Sequence, residues 1–218
     1  MKWLEKGLFE DRKDAGKRLA EALKEYRDKN VLVLAIPKGG VEVGYYVARS
    51  LHAQFSILIA RKLPFPSDQE AGFGALAEDG SIFLVQDASN WVSGSEIHRI
   101  IETQRKEIKR RIAVLRRGKP LPTIGGRTVI LVDDGIAMGS TMRTAAMLCQ
   151  KAEPRKIIVA VPVTGEKTAR EIEKLVDEIV VLVMPRPFYA VAQVYKNWYD
   201  VSDQEVIAIM DRWYRAKR

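Results

Sequence analysis

Residues 127 to 141, RTVILVDDGIAMGST, decide how this chain folds. The segment RTVILV, 127 to 132, reads as a strand buried on both faces. It runs straight into two adjacent carboxylates, Asp133 and Asp134. A loop of mostly small residues follows, and a helix is expected from about Thr141 to Lys151. Strand, acidic pair, glycine loop and helix in that order place charge and a helix N-terminus at one end of a buried strand.

The same alternation recurs along the chain. VLVLAI (31–36), FSILIA (55–60), KIIVAVPV (156–163) and EIVVLVM (178–184) are further buried runs, and helices are expected near 11–28, 40–52, 166–175 and 203–215. Ser202 with Glu205 three residues later forms a capping box for the last helix. Strands alternating with helices define an α/β fold with a central, mainly parallel sheet and helices on both faces. The stretch 63–125 breaks the alternation and reads as an insertion or hood within a single domain spanning 1–218. It includes a proline-flanked flap candidate, Leu63 to Gly74, and short strands near 74–77 and 81–85.

The balance of 36 basic and 28 acidic residues, net +8, admits an anionic ligand. Much of the excess sits in residues 98–119, within an amphipathic helix over 96–117 whose basic face reads first as a solvated surface, so nucleic acid is not the expected partner. No apolar run reaches the roughly 20 residues that span a membrane. The charged start and single cysteine, Cys149, fit a cytoplasmic chain without an internal disulfide, and Cys149 reads as a buried structural thiol. The four tryptophans, Trp3, Trp91, Trp198 and Trp213, read as packing residues.

In open parallel sheets, ligands bind beyond the carboxyl ends of the strands. Three polar groups follow strands here: Lys38-Gly39-Gly40, Arg61-Lys62 and Asp133-Asp134, all expected at one edge. Gly135, Ile136, Ala137, Met138, Gly139, Ser140 and Thr141 suit an anion, because glycines admit close backbone approach and a helix N-terminus supplies N–H donors. No lysine precedes the hydroxyl residues, so this is not a Walker A loop. Carboxylates accept hydrogen bonds, so the acidic pair suits hydroxyl donors or a divalent cation. A phosphorylated ribose carrying further phosphates satisfies both halves.

VILVDDGIAMGST resembles the phosphoribosyl pyrophosphate (PRPP) motif of the type I phosphoribosyltransferases, and AIPKGGVEVG near the front strengthens the resemblance. The resemblance implies a type I phosphoribosyltransferase fold. It implies transfer of the 5-phosphoribosyl group from PRPP to a small nitrogenous base, with Mg²⁺ as cofactor, in nucleotide metabolism. Asp133 and Asp134 then bind the ribose hydroxyls and are the metal candidates, directly or through PRPP and water. The 135–141 loop cradles the 5′-phosphate. Ile36, Pro37, Lys38 and Gly39 form a pyrophosphate loop, often with a strained peptide. Arg61 and Lys62 supply a basic pair, and an aromatic after the last strand, Phe188 or Tyr189, stacks on the base. Asp133, Asp134, Lys38, Arg61 and Lys62 are the catalytic candidates. A homodimer is compatible with the sequence but not read from it.

Two departures stand out. Met138 replaces the usual threonine, removing a hydroxyl from the phosphate loop, and Ala137 replaces the aspartate of hypoxanthine–guanine enzymes, which argues against that acceptor class. The alternative reading is a non-catalytic sensor of PRPP or a nucleotide on the same fold, which the basic helix suits and Met138 does not argue against.

Overall fold

The computed structural model describes residues 8–69 and 71–216, which leaves Trp3 and Glu70 of the flap candidate outside the described residues. In chain order the elements are α1 (Arg12–Ala22), β1 (Leu32–Ala35), α2 (Gly39–Ser50), β2 (Gln54–Ile57), β3 (Ala60–Pro64), β4 (Gly72–Ala77), β5 (Ile82–Leu84), α3 (Gly94–Leu115), β6 (Thr128–Val132), α4 (Ser140–Lys151), β7 (Lys156–Val163), α5 (Glu166–Glu173), β8 (Glu178–Val183) and α6 (Asp203–Arg215). Five strands form one parallel sheet in the order β2-β1-β6-β7-β8. Successive side chains of a strand point to opposite faces, so an unbroken apolar run buries both. Val33, Ala35, Ile130 and Val132 face the core under α1, α2 and α6. Leu32, Leu34, Val129 and Leu131 face the other core, with Met142, Ala145 and Cys149 of α4. Cys149 is fully buried, and burial pushes its thiol up to about 12, so it packs as a small apolar residue.

The run FSILIA is not one strand. β2 ends at Ile57, and β3 starts at Ala60 in a separate antiparallel sheet, β3-β4-β5. The Leu58 N–H still donates to the Ala35 carbonyl at 3.0 Å, and one residue later the chain has left. There the Ile59 N–H donates to the Glu78 carboxylate at 2.9 Å, while the Glu78 N–H returns a bond to the Ile59 carbonyl at 3.0 Å. Arg116 clamps Glu78 with two bonds of 2.8 and 2.5 Å and donates to the Ile57 carbonyl at 2.9 Å. A buried ion pair thus pins the crossing between two sheets. No polar residue interrupts the run after Ser56, so periodicity alone could not reveal the break.

The departure from parallel alternation begins at β3 and ends before β6. Its helix, α3, starts at Gly94, earlier than the basic stretch suggested. Ser93 and Glu96 close a capping box there, a signal present in the sequence but unused. Part of the positive charge of α3 is matched within the protein: Arg105 pairs with Glu102, the buried Arg111 with Glu107, and Arg110 with both Glu107 and Asp203 of α6. The first helix is also shorter than expected, ending at Ala22 before a 3-10 turn over Lys24–Tyr26. Among the described residues no helix is long and apolar enough to cross a membrane.

The neighbours β1 and β6 send their following helices to opposite faces, α2 to one and α4 to the other. The loops after these two strands therefore diverge and open a crevice at the carboxyl edge, the switch point at which such sheets take ligands.

Candidate functional site

Asp133 and Asp134 sit at that switch point, at the end of β6. The Asp134 N–H donates to Asp133 Oδ1 at 2.8 Å, turning the first carboxylate back over the backbone. Arg12 Nε donates to Asp134 Oδ2 at 2.8 Å, and the Tyr195 hydroxyl donates to the Asp134 carbonyl at 2.6 Å. Surrounding protein and the neighbouring Asp134 charge push the Asp133 carboxyl well above the usual carboxylate range. Burial likewise raises the Tyr195 hydroxyl, which keeps it a proton donor.

The Lys38 loop comes directly against this pair. A Cβ on Gly40 would lie 2.8 Å from Asp133 Oδ1, and one on Gly39 would collide with the Asp134 carboxylate. The two glycines of PKGG are thus required by the close approach of two loops, in addition to any ligand. The Ile36 N–H donates to the Val132 carbonyl at 2.9 Å, extending the β1–β6 pairing to the brink of the loop. The Pro37–Lys38 peptide is cis, and Lys38 is the N-cap residue of α2.

The 135–139 loop is fixed by its carbonyls. The Thr164 hydroxyl donates to the Ile136 carbonyl at 2.8 Å and the Thr168 hydroxyl to the Ala137 carbonyl at 3.0 Å. Arg143 Nη1 reaches the Met138 carbonyl at 3.5 Å, and its other branch pairs with Glu171. In a trans peptide the carbonyl and the following N–H point in opposite directions. Holding the carbonyls of 136, 137 and 138 toward Thr164, Thr168 and Arg143 therefore turns the N–H groups of 137, 138 and 139 away from those side chains. Gly139 (φ +84°) caps α4 without a side-chain bond, so the first N–H groups of that helix add to the same set. The result is a nest of backbone donors at a helix N-terminus, suited to an anion.

A cleft of about 390 Å³ lies over this nest, lined among others by Lys62, Asp133, Met138, Thr141 and Tyr189. Arg61 and Lys62, expected together after the end of a strand at the same edge, lie inside β3, where consecutive side chains alternate. Lys62 lines the cleft, whereas Arg61 donates to Gln104 of α3 at 3.0 Å. Burial, and then the Arg111 charge, lowers the Arg61 pKa. Met138 is 60% exposed, so its side chain does not shape the loop. Of the two aromatics, Tyr189 lines the cleft and is 83% exposed. Phe188 packs at Gly165 and on the small core of Phe9, Val163 and Val194. The flap candidate is the β3–β4 hairpin, with Leu63 and Pro64 in one strand and Gly72 to Gly74 in the other.

The sequence reading missed Arg12, Tyr195, Thr164, Thr168 and Arg143. Thr164 had a signal: it is the polar residue after a buried strand, as Asp133 is. Arg12 had none, being one of several basic residues at the start of an amphipathic helix.

Residues 9–195 match the family model described as "Phosphoribosyl transferase domain". The chain is 38% identical over 210 residues to "Putative phosphoribosyl transferase Rv0571c" of Mycobacterium tuberculosis strain H37Rv, and equally to its counterpart in strain CDC 1551. The match covers 95% of this chain and 47% of the relative, so the chain spans about half the length of the curated relatives it matches. The crystal structure of TT1426 from Thermus thermophilus superposes with a TM-score of 0.78 at 35% identity, covering 94% of this chain and 98% of that one. The AQ2163 protein of Aquifex aeolicus, at 13% identity and a TM-score of 0.50 over 78% of this chain and 73% of that one, shares the fold alone. The chain belongs to the phosphoribosyl transferase family.

Proposed function

We propose that this chain binds PRPP and transfers its 5-phosphoribosyl group to a nitrogenous base, releasing pyrophosphate. The observation that carries the proposal is the convergence of an acceptor pair, Asp133 and Asp134, with the donor nest at 137–141 and the Lys38 loop on one crevice. Acceptors suit the ribose 2′- and 3′-hydroxyls, and backbone donors suit the 5′-phosphate. Lys38 and Lys62 bring positive charge for the pyrophosphate. In the reaction the C1–oxygen bond to pyrophosphate breaks as a C1–nitrogen bond to the base forms. Negative charge grows on the leaving group, and fixed cations and N–H donors stabilise it without reorganising. Tyr189, at the mouth of the cleft, offers a ring face to a flat acceptor.

Among the described residues no three His, Cys, Asp or Glu side chains group to hold a metal. The donor set therefore fits a magnesium ion that arrives with PRPP, since Mg²⁺ keeps most of its oxygens from phosphates and water. Asp133 and Asp134 would contact it through PRPP and water, and when bound it neutralises charge on the pyrophosphate.

Calorimetric titration with PRPP, with and without Mg²⁺, tests the ligand. Pyrophosphate release with a panel of purine, pyrimidine and pyridine bases tests the reaction. Absence of PRPP binding would overturn the reading, and tight binding without turnover on any base would favour the sensor.

A further inference from the structure

We propose that Arg12 is a positioning residue of the ribose site, holding Asp134 in its binding orientation and tying it to the C-terminal segment that carries Tyr189. The inference rests on reading the acid pair as the acceptor of ribose hydroxyls.

Arg12 is the first residue of α1, 122 positions from Asp134, and its side chain is only 3% exposed. Its donors are turned inward. Nε bonds Asp134 Oδ2 at 2.8 Å, and Nη1 bonds the Tyr199 carbonyl at 2.9 Å. The guanidinium lies 4.0 Å from the centre of the Trp198 ring and 5.1 Å from that of Tyr199. A planar cation between a carboxylate and two aromatic faces has one orientation that satisfies all of them. It therefore fixes the carboxylate it bonds.

Two features make this more than a fold contact. Asp133 and Asp134 are like charges on consecutive residues, and a buried cation on one of them lowers their repulsion at the edge of the cleft that Asp133 lines. The same segment returns to the pair at Tyr195, whose hydroxyl holds the Asp134 carbonyl at 2.6 Å. Residues 189 to 199 thus carry the cleft aromatic at one end and the Arg12 platform at the other. Among the described residues Arg12 makes no hydrogen bond to the 36–39 loop, although a Cβ on Gly39 would lie 2.8 Å from its Nε.

The two halves of PRPP can be offered separately, as ribose 5-phosphate and as inorganic pyrophosphate. In calorimetry Arg12→Met is expected to weaken ribose 5-phosphate about tenfold or more and pyrophosphate less than about twofold, since the lost bond is to the ribose acceptor. Arg12→Lys, which keeps the charge but neither the fork nor the planar stack, recovers only a small part of the loss. Trp198→Leu, a substitution on the half-exposed rim, gives a smaller loss of about threefold with the same selectivity. Unchanged ribose 5-phosphate binding in Arg12→Met, or equal loss of both probes, overturns the inference. Should Arg12→Met fail to fold, unchanged ribose 5-phosphate binding in Trp198→Leu overturns it instead. Failure of the unmodified protein to bind either probe would sink the PRPP reading itself, a distinct result from binding that ignores Arg12.

Discussion

The Thr164 hydroxyl bonds the Ile136 carbonyl at 2.8 Å, and through that bond the end of β7 sets the direction of the loop after β6. Thr164 is fully buried, so no water reaches in from its side to replace the bond. Thr164→Val keeps the shape and removes the donor. The expected cost is about 1–3 kcal/mol of stability, with weaker phosphate binding as the N–H groups lose their aim. Thermal melting and phosphate titration of the variant check both parts. Unchanged phosphate affinity would show that the loop holds itself.

Met138 contributes its backbone to the nest and exposes its side chain. Met138→Thr restores a hydroxyl where a phosphate oxygen is expected. One charge-assisted bond is worth roughly 1.5–3 kcal/mol at most, so PRPP is expected to bind about tenfold tighter. Equal or weaker affinity would mean that the site is built around the thioether.

Removing a carboxylate separates function from stability. Asp133 carries a raised pKa, so the folded state favours its protonated form. Its charge therefore costs stability once pH rises past the unfolded value, and the cost is absent below it. Asp133→Asn mimics the protonated form. It is expected to melt higher than the parent at about pH 7 to 8, to lose that advantage in acid, and to bind PRPP poorly. A variant that binds normally would move the ribose site elsewhere.

The Arg116–Glu78 pair predicts the opposite outcome. Their side chains are 2% and 8% exposed. Arg116→Met strands a buried carboxylate, at an expected cost of about 3–5 kcal/mol, read as a lower denaturation midpoint. A loss below about 1 kcal/mol would place the pair among weak surface bridges.

On α3, the bond from Arg110 holds the Glu107 carboxyl down, with Arg111 assisting, from 4.5 to about 2. A depressed carboxylate stabilises the fold above its unfolded pKa and loses that effect as pH falls toward the folded one. Glu107→Gln should therefore melt slightly lower than the parent at about pH 7, by about 1 kcal/mol for a network open to solvent at Arg110. The difference should close between pH 4.5 and about 2. A difference that persists at the acid end would point to packing rather than charge.

The sequence by itself determined the α/β class, the five apolar runs, the acid pair and the glycine loop, because those follow from local pattern. Four of the runs are largely buried, whereas the fifth, expected buried, is the edge strand β8 and stays half-buried because no strand covers its outer side. Apolar runs bury both faces of a parallel sheet, and small residues beside carboxylates at a strand end mark a ligand edge wherever the strand lies. It also located the Ser202 cap, since a capping box is complete within four residues. The tertiary structure alone decided that β1 and β6 are neighbours, which brings the Lys38 loop to the acids. It decided that FSILIA crosses between two sheets, because the agent is Arg116, far along the chain. It also turned Arg61 toward α3 and Lys62 toward the cleft. Arg12 was beyond reach for the same reason: a hydrogen bond spanning 122 residues leaves no periodicity, and only the packing of α1 and the C-terminal segment against the sheet edge sets its geometry.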